Sequence, residues 1–244
     1  MDKLDAAAID LPGVDVRVVE RCISTNTSIF EKPIQGPILL AAEEQTAGRG
    51  RRGRRWHSPR GAGITFSLAA PLTRPPRELA ALPLVAGVAV ARALRALGAP
   101  VALKWPNDLL VGEGKLGGIL IESRAGVAVI GVGINCRRVG GLAESLGRRV
   151  AFLEMADRNR VIRSLGAALL DALREFEAHG FGAARAHWQA MDAHAGRRLR
   201  VRLAGGKIVT GVNDGLALDG ALRLATRQGV REVRSGQVLS ARAA

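Results

Sequence analysis

Between residues 48 and 60 the chain reads Gly-Arg-Gly-Arg-Arg-Gly-Arg-Arg-Trp-His-Ser-Pro-Arg, with six arginines in thirteen residues. No core can absorb that segment, because six guanidinium groups cannot all be buried. It sits between two apolar runs, Pro37-Ile-Leu-Leu-Ala-Ala-Glu43 and Ala62-Gly-Ile-Thr-Phe-Ser-Leu-Ala69, both with strand character. The fold must therefore hang a cationic loop between two strands, where functional groups tend to be placed. Glycine leaves the backbone free to wrap, and arginine supplies rigid forks of N–H donors that match phosphate oxygens. Left alone the charges repel, so the empty loop is expected to be mobile. An anion would order it through charge-assisted hydrogen bonds worth about 1.5–3 kcal/mol each. Trp56 adds a flat surface on which a base can stack.

The remaining composition narrows the choice. A chain of 244 residues makes one large domain, or a medium one with a small companion. A net charge of +14 favours anionic partners. Arginine is spread over the whole chain, however, while lysine occurs only five times, so part of that charge is a general arginine bias. Cys22 and Cys136 show no metal-ligand or disulfide spacing, and the four histidines form no metal motif. The start, Met-Asp-Lys-Leu-Asp, lacks the layout of a signal peptide. Apolar stretches are interrupted well short of about 18 residues, so no membrane span and a cytoplasmic location are expected.

Along the chain, a strand is expected over 14–23, followed by Ser24-Thr-Asn-Thr as a helix start whose side chains can cap free N–H groups. Apolar residues at helical spacing predict helices over 78–97, 160–178 and 183–192, the first with Pro83 near its true start. Ala102–Trp105 is a short strand turned by Pro106-Asn-Asp, and Leu116–Glu122 with Val127–Ile134 form a hairpin. After Gly196 the pattern becomes short strands separated by Gly205-Gly206, Asn213-Asp-Gly and Gln228-Gly229. The expected organisation is an α/β (α+β) domain over 1–193 and a small β barrel over 194–244.

Three segments carry chemistry besides the arginine loop. Lys104-Trp-Pro-Asn-Asp108 reads as a strand and turn that exposes Asn107 and Asp108. In Lys115-Leu-Gly-Gly-Ile-Leu120 a scarce lysine stands at the mouth of an apolar strand, and Gly117 and Gly118 let a ligand approach the backbone. Gly131-Val-Gly-Ile-Asn135 is weak as a glycine motif and reads equally well as a structural strand. No phosphate-binding loop of the GxxxxGK[ST] type, no GxSxG elbow and no HExxH helix is present.

Taken together and in order, Ser24-Thr-Asn26, Gln45-Thr-Ala-Gly-Arg-Gly-Arg-Arg-Gly-Arg-Arg-Trp56, Lys104–Asp108, Lys115–Leu120 and Gly131–Asn135 resemble the biotin protein ligases, the biotin–[acetyl-CoA-carboxylase] ligases. The resemblance implies a catalytic core like that of class II aminoacyl-tRNA synthetases, with a mixed sheet, and a small SH3-like barrel. It implies that biotin and ATP, with Mg²⁺ bound mainly through the ATP phosphates, give biotinyl-5′-AMP. The biotinyl group then passes to a lysine of a biotin carboxyl carrier domain. Biotin would be held by Ser24, Thr25, Asn26, Gln45, Gly48, Arg49, Lys115 and Gly118, and the nucleotide by Arg51, Arg52, Arg54, Trp56, Asn107 and Asn135. Lys115 and Arg51 would meet the charge developing at the α-phosphate, and Asp108 would orient the acceptor amine or take its proton. Only about twenty residues precede Ser24, too few for the DNA-binding domain of some relatives, so a short, non-repressing form is expected. Gln237 stands where relatives often carry glutamate. The resemblance allows a homodimer without requiring one. A lipoate–protein ligase and a nucleic-acid-binding module remain as rivals, separable by biotin-dependent exchange of pyrophosphate into ATP.

Overall fold

The computed structural model describes residues 3–243 except 32, 125, 141–146, 148, 155 and 156. Seven strands form one mixed sheet: β1 (Asp15–Cys22), β2 (Ile38–Gln45), β3 (Gly63–Pro71), β4 (Val101–Lys104), β5 (Asp108–Val111), β6 (Gly114–Arg124) and β7 (Val127–Asn135). Their spatial order is β1-β2-β3-β7-β6-β5-β4. The β1–β2 pair is parallel and every other pair is antiparallel.

Alternation along these strands decides which face is which. Ile64, Phe66 and Leu68 of β3 and Ala128, Ile130, Val132 and Ile134 of β7 point into the main core. There they meet the helices Leu82–Ala96 and Arg158–His179. The first of these follows a 3₁₀ turn, Glu78–Ala81, and carries Pro83 in its first turn, where a missing N–H costs nothing. By length and apolarity the segment Glu78–Ala96 is able to cross a membrane, which apolar-run length alone did not suggest. In this fold it is a core helix, with Leu82, Leu84, Val85, Val88, Val90 and Leu94 buried.

The opposite face of the sheet is divided. At one end Ile38, Leu40, Ala69 and Val129 pack with Ile29 in a small second cluster. At the other end the same strands present Thr65, Ser67, Gly131 and Gly133, which are too small or too polar to form a core.

The remaining strands, β8 (Arg198–Leu203), β9 (Ile208–Leu216), β10 (Leu222–Thr226), β11 (Gly229–Val233) and β12 (Gly236–Arg242), make a second sheet in the order β11-β10-β9-β8-β12. The expected SH3-like barrel is not formed, because the outer strands β11 and β12 do not pair and the sheet stays open. Only two residues separate β11 from β12, yet β12 runs to the far edge and pairs with β8. β11 has no apolar face with which to close the sheet, since four of its five residues are exposed and only Val233 is buried. Asn213-Asp-Gly is not a turn either. It lies within β9, beside a register shift against β10, and the Asn213 side chain donates to Asp192 (2.6 Å) and to the His194 carbonyl (2.9 Å).

Candidate active site

The polar end of the first sheet is the floor of a cavity of about 570 Å³. One wall is the segment that follows β1. Ser24 opens the short helix Thr25–Ser28 but makes no side-chain cap, and its side chain lines the cavity instead. Thr25 is buried, and both its backbone N–H (2.8 Å) and its hydroxyl (3.1 Å) donate to Oε1 of Gln45 at the end of β2. Ser67 Oγ, fully buried on β3, lies 2.7 Å from the Thr25 hydroxyl and 2.6 Å from Asn26 Oδ1. Asn26 Nδ2 continues the network to Glu122 Oε2 at 2.8 Å. These buried groups satisfy one another, so the pocket wall is set before any ligand arrives.

The floor depends on missing side chains. A Cβ on Gly131 would fall 2.3 Å from Asn26 Oδ1, and one on Gly133 would fall 2.5 Å from the Trp56 indole. These two glycines let Asn26 and Trp56 lie directly on β7.

Opposite, a bulge controls the lysine. The register between β5 and β6 shifts at Leu109/Leu110, where Leu109 faces Gly117 and Leu110 faces Lys115. An extra residue reverses strand parity. Lys115 and Gly118, three apart, therefore share the cavity face, while Leu116 and Ile119 share the core. Lys115 forms an ion pair with Asp108, with both side chains mostly buried. Asn107 clamps this corner by donating from Nδ2 to the Ile119 carbonyl (2.7 Å) and accepting the Ile119 N–H (3.0 Å) on its own carbonyl.

The arginine loop forms the roof and is a tight hairpin. Gly50 N–H donates to the Arg54 carbonyl at 2.6 Å, Trp56 N–H donates to the Gly48 carbonyl at 2.8 Å, and Arg51–Gly53 make a 3₁₀ turn. Arg49 reaches Thr27 Oγ1 (3.0 Å) and Glu122 Oε1 (3.1 Å), and Arg51 reaches Asn107 Oδ1 at 3.5 Å. In this structure the hairpin touches the rest of the domain through Arg49, with Arg51 making a second, longer contact. Desolvation, reinforced by the neighbouring Arg52 charge and opposed by Asp108, lowers the Arg51 pKa from its ordinary value.

The same architecture is found in known proteins. A family model described as the biotin/lipoate A/B protein ligase family matches residues 18–137. The bifunctional ligase/repressor BirA of Escherichia coli is 35% identical, over 96% of this chain and 76% of its own length. The chain belongs to the biotin protein ligases. A biotin–[acetyl-CoA-carboxylase] ligase of Mycobacterium tuberculosis is 34% identical, over 80% of this chain and 77% of its own. Among solved structures, the biotin protein ligase of Aquifex aeolicus in complex with biotin and ATP superposes with a TM-score of 0.81 at 28% identity. That superposition covers 94% of this chain and 99% of the other.

Within this ligase fold Ser24, Thr25, Asn26, Gln45, Arg49, Arg51, Arg54, Trp56, Asn107, Asp108, Lys115 and Gly118 line one cavity. Three expected residues stand apart from it. Gly48 is buried in the hairpin, where a Cβ would meet the Trp56 carbonyl at 2.7 Å. Arg52 is exposed with φ at 58°. Asn135 turns away, and its Nδ2 donates to the Lys115 carbonyl (3.2 Å), bracing the lysine strand. Ser67, Thr65 and Glu122 were not anticipated. Strand parity held the signal, because 65 and 67 alternate with Ile64, Phe66 and Leu68, and 122 follows 118 and 120 in steps of two. The second sheet also lends Gly236–Leu239 to the wall, Gln237 among them.

Proposed function

We propose that this ligase condenses biotin with ATP to give biotinyl-5′-AMP and pyrophosphate, and then passes the biotinyl group to a lysine of a biotin carboxyl carrier domain. The observation that carries the reading is the convergence of three parts on one cavity: the Thr25–Gln45–Ser67 network, the arginine hairpin and the Lys115–Asp108 pair. The polar wall formed by Thr25 and Gln45, with Ser24 beside them in the cavity, supports a role for these three residues in holding the uncharged polar head group of biotin. Asn26 holds that wall in place, and the bare backbone at Gly118 gives the biotin chain room. Arg49 lies along the biotin tail, Arg51 and Arg54 meet the phosphates, and Trp56 supplies a stacking surface for adenine.

In the first step a biotin carboxylate oxygen attacks the α-phosphorus, and the bond to pyrophosphate breaks. Two anions must meet, so the barrier falls where cations are already in place. Lys115, held by Asp108, and Arg51 serve that purpose. In the second step the neutral acceptor amine attacks the biotinyl carbonyl carbon, the bond to the AMP phosphate oxygen breaks, AMP leaves, and the proton released from the amine passes to Asp108 or to water. Asp108 orients the incoming amine. Among the described residues no group of three or more His, Cys, Asp or Glu side chains is placed to hold a metal ion. Mg²⁺ would enter bound to the phosphates of ATP, where it would offset their charge. The protein is placed in the cytoplasm as part of the same proposal.

Purified protein is expected to exchange labelled pyrophosphate into ATP when biotin and Mg²⁺ are supplied and no carrier is present. Exchange with lipoate but not with biotin would overturn the reading.

A further inference from the structure

Glu122 has no part in the two chemical steps, yet among the described residues it is the carboxylate hydrogen-bonded to both the pocket wall and the roof. Its Oε2 accepts from Asn26 Nδ2 at 2.8 Å. The Arg49 guanidinium, through one NH₂ nitrogen, lies 3.1 Å from Oε1 and 3.3 Å from Oε2, and the same nitrogen reaches Thr27 Oγ1 at 3.0 Å. The chain of contacts runs Ser67–Asn26–Glu122–Arg49, from a fully buried hydroxyl to the hairpin. It is feasible only because Gly131 leaves Asn26 room to lie across β7 and reach β6. The Arg49–Glu122 pair is too exposed, at 50% and 35%, to add much to global stability. What it can do is fix a hairpin whose other anchor, Arg51 to Asn107, is long at 3.5 Å.

We infer that Glu122 is a positioning residue that latches the arginine hairpin to the biotin-pocket wall, and that this latch keeps the acyl-adenylate enclosed. The second half rests on the proposed function, while the first does not. Asn26 is the shared member, so a ligand that settles against it bears on the carboxylate that holds the roof.

The hairpin carries its own probe, because trypsin cuts after Arg51, Arg52, Arg54 and Arg55. Ligand-free wild type, Glu122→Gln, Arg49→Ala and the double variant are digested briefly, and the cut sites are located by mass spectrometry. Each single variant is expected to raise hairpin cleavage about 5–10-fold, the double variant no more than either single, with Tm unchanged to within about 2 °C. Glu122→Gln keeps an acceptor for Asn26 and removes the charge that holds Arg49. Glu122→Asp, which restores the charge, is expected to recover part of the protection. Cleavage of Glu122→Gln at the wild-type rate, or effects of the two substitutions that multiply, would overturn the latch. Escape of biotinyl-AMP is then timed in the same proteins and is expected to rise by a similar factor in Glu122→Gln. If wild type retains the adenylate and Glu122→Gln retains it equally, the enclosing role fails while the ligase reading stands. If wild type forms no adenylate but the cleavage pattern holds, the ligase reading fails and the latch stands.

Discussion

At the scale of single residues the site works by crowding. The lowered Arg51 pKa records a guanidinium short of solvent and set beside other cations, which gains most when an anion arrives. Arg51→Ala is expected to speed loss of biotinyl-AMP by about tenfold or more, with the melting transition nearly unchanged, because a surface hairpin contributes little to global stability. Filter retention of labelled adenylate and a thermal melt check both halves. Loss of the cooperative transition in that variant would place the hairpin in the core and contradict its position here. Gly133 tests the floor. An alanine methyl there would strike the Trp56 ring, so Gly133→Ala should displace the indole and raise KM for ATP about tenfold while KM for biotin changes little. Steady-state kinetics on both substrates, with tryptophan emission as a check on the ring, decide it.

At the scale of elements, one buried pair ties the first sheet to its covering helix. Glu43 on β2 accepts from both terminal nitrogens of Arg158, at 2.8 and 3.1 Å, and from the Leu4 N–H at 2.7 Å. Both side chains are about 95% or more buried. Such a pair adds little net stability, but removing one partner strands the other charge. Glu43→Ala is expected to cost about 3–5 kcal/mol in urea unfolding. Replacing both residues with apolar groups of similar size should recover most of that loss, and the denaturation midpoint is the measure. The β5–β6 bulge is the other decisive element, since without it strand parity would turn Lys115 away from Gly118.

At the scale of the whole molecule, the two sheets meet around Leu103–Trp105 and the segment 191–197. Leu103 exchanges backbone hydrogen bonds with Met191 and Ala193, both 2.8 Å, and buried Trp105 donates to the Gly220 carbonyl at 3.3 Å. His194 sits at this junction. Desolvation, helped by the Lys104 and Arg197 charges, pushes its pKa down to about 4 from an ordinary 6.5. Between those values the unfolded chain binds a proton that the folded chain does not. His194 thus contributes stability above pH 6.5 that is lost as pH falls towards 4. The loss is expected to be about 1–2 kcal/mol once the ring's partial exposure is allowed for. Desolvation raises the Asp192 pKa, which acts with the opposite sign at the acid end of this range. Urea titrations at pH 7.5 and 4.5 should show the drop in wild type and a smaller one in His194→Gln.

The residue types, their order and their periodicities were enough to identify the arginine loop, its flanking strands, the three main helices and the family. They were not enough to place Asn135 or to reveal Glu122, Ser67 and β5, although parity pointed to the first two of these three. Local pattern failed in the second sheet, where Asn213-Asp-Gly continues a strand because Asp192 and the His194 carbonyl engage Asn213 from outside it. The open sheet has the same origin, since β12 finds its partner in β8 across the chain and not in its neighbour β11. Sequence alone determined which chemical groups are present and roughly which elements carry them, because propensity and apolar spacing act over a few residues. Tertiary structure alone decided which groups share the cavity, because a one-residue bulge, two absent side chains and an edge pairing act between segments far apart in the chain.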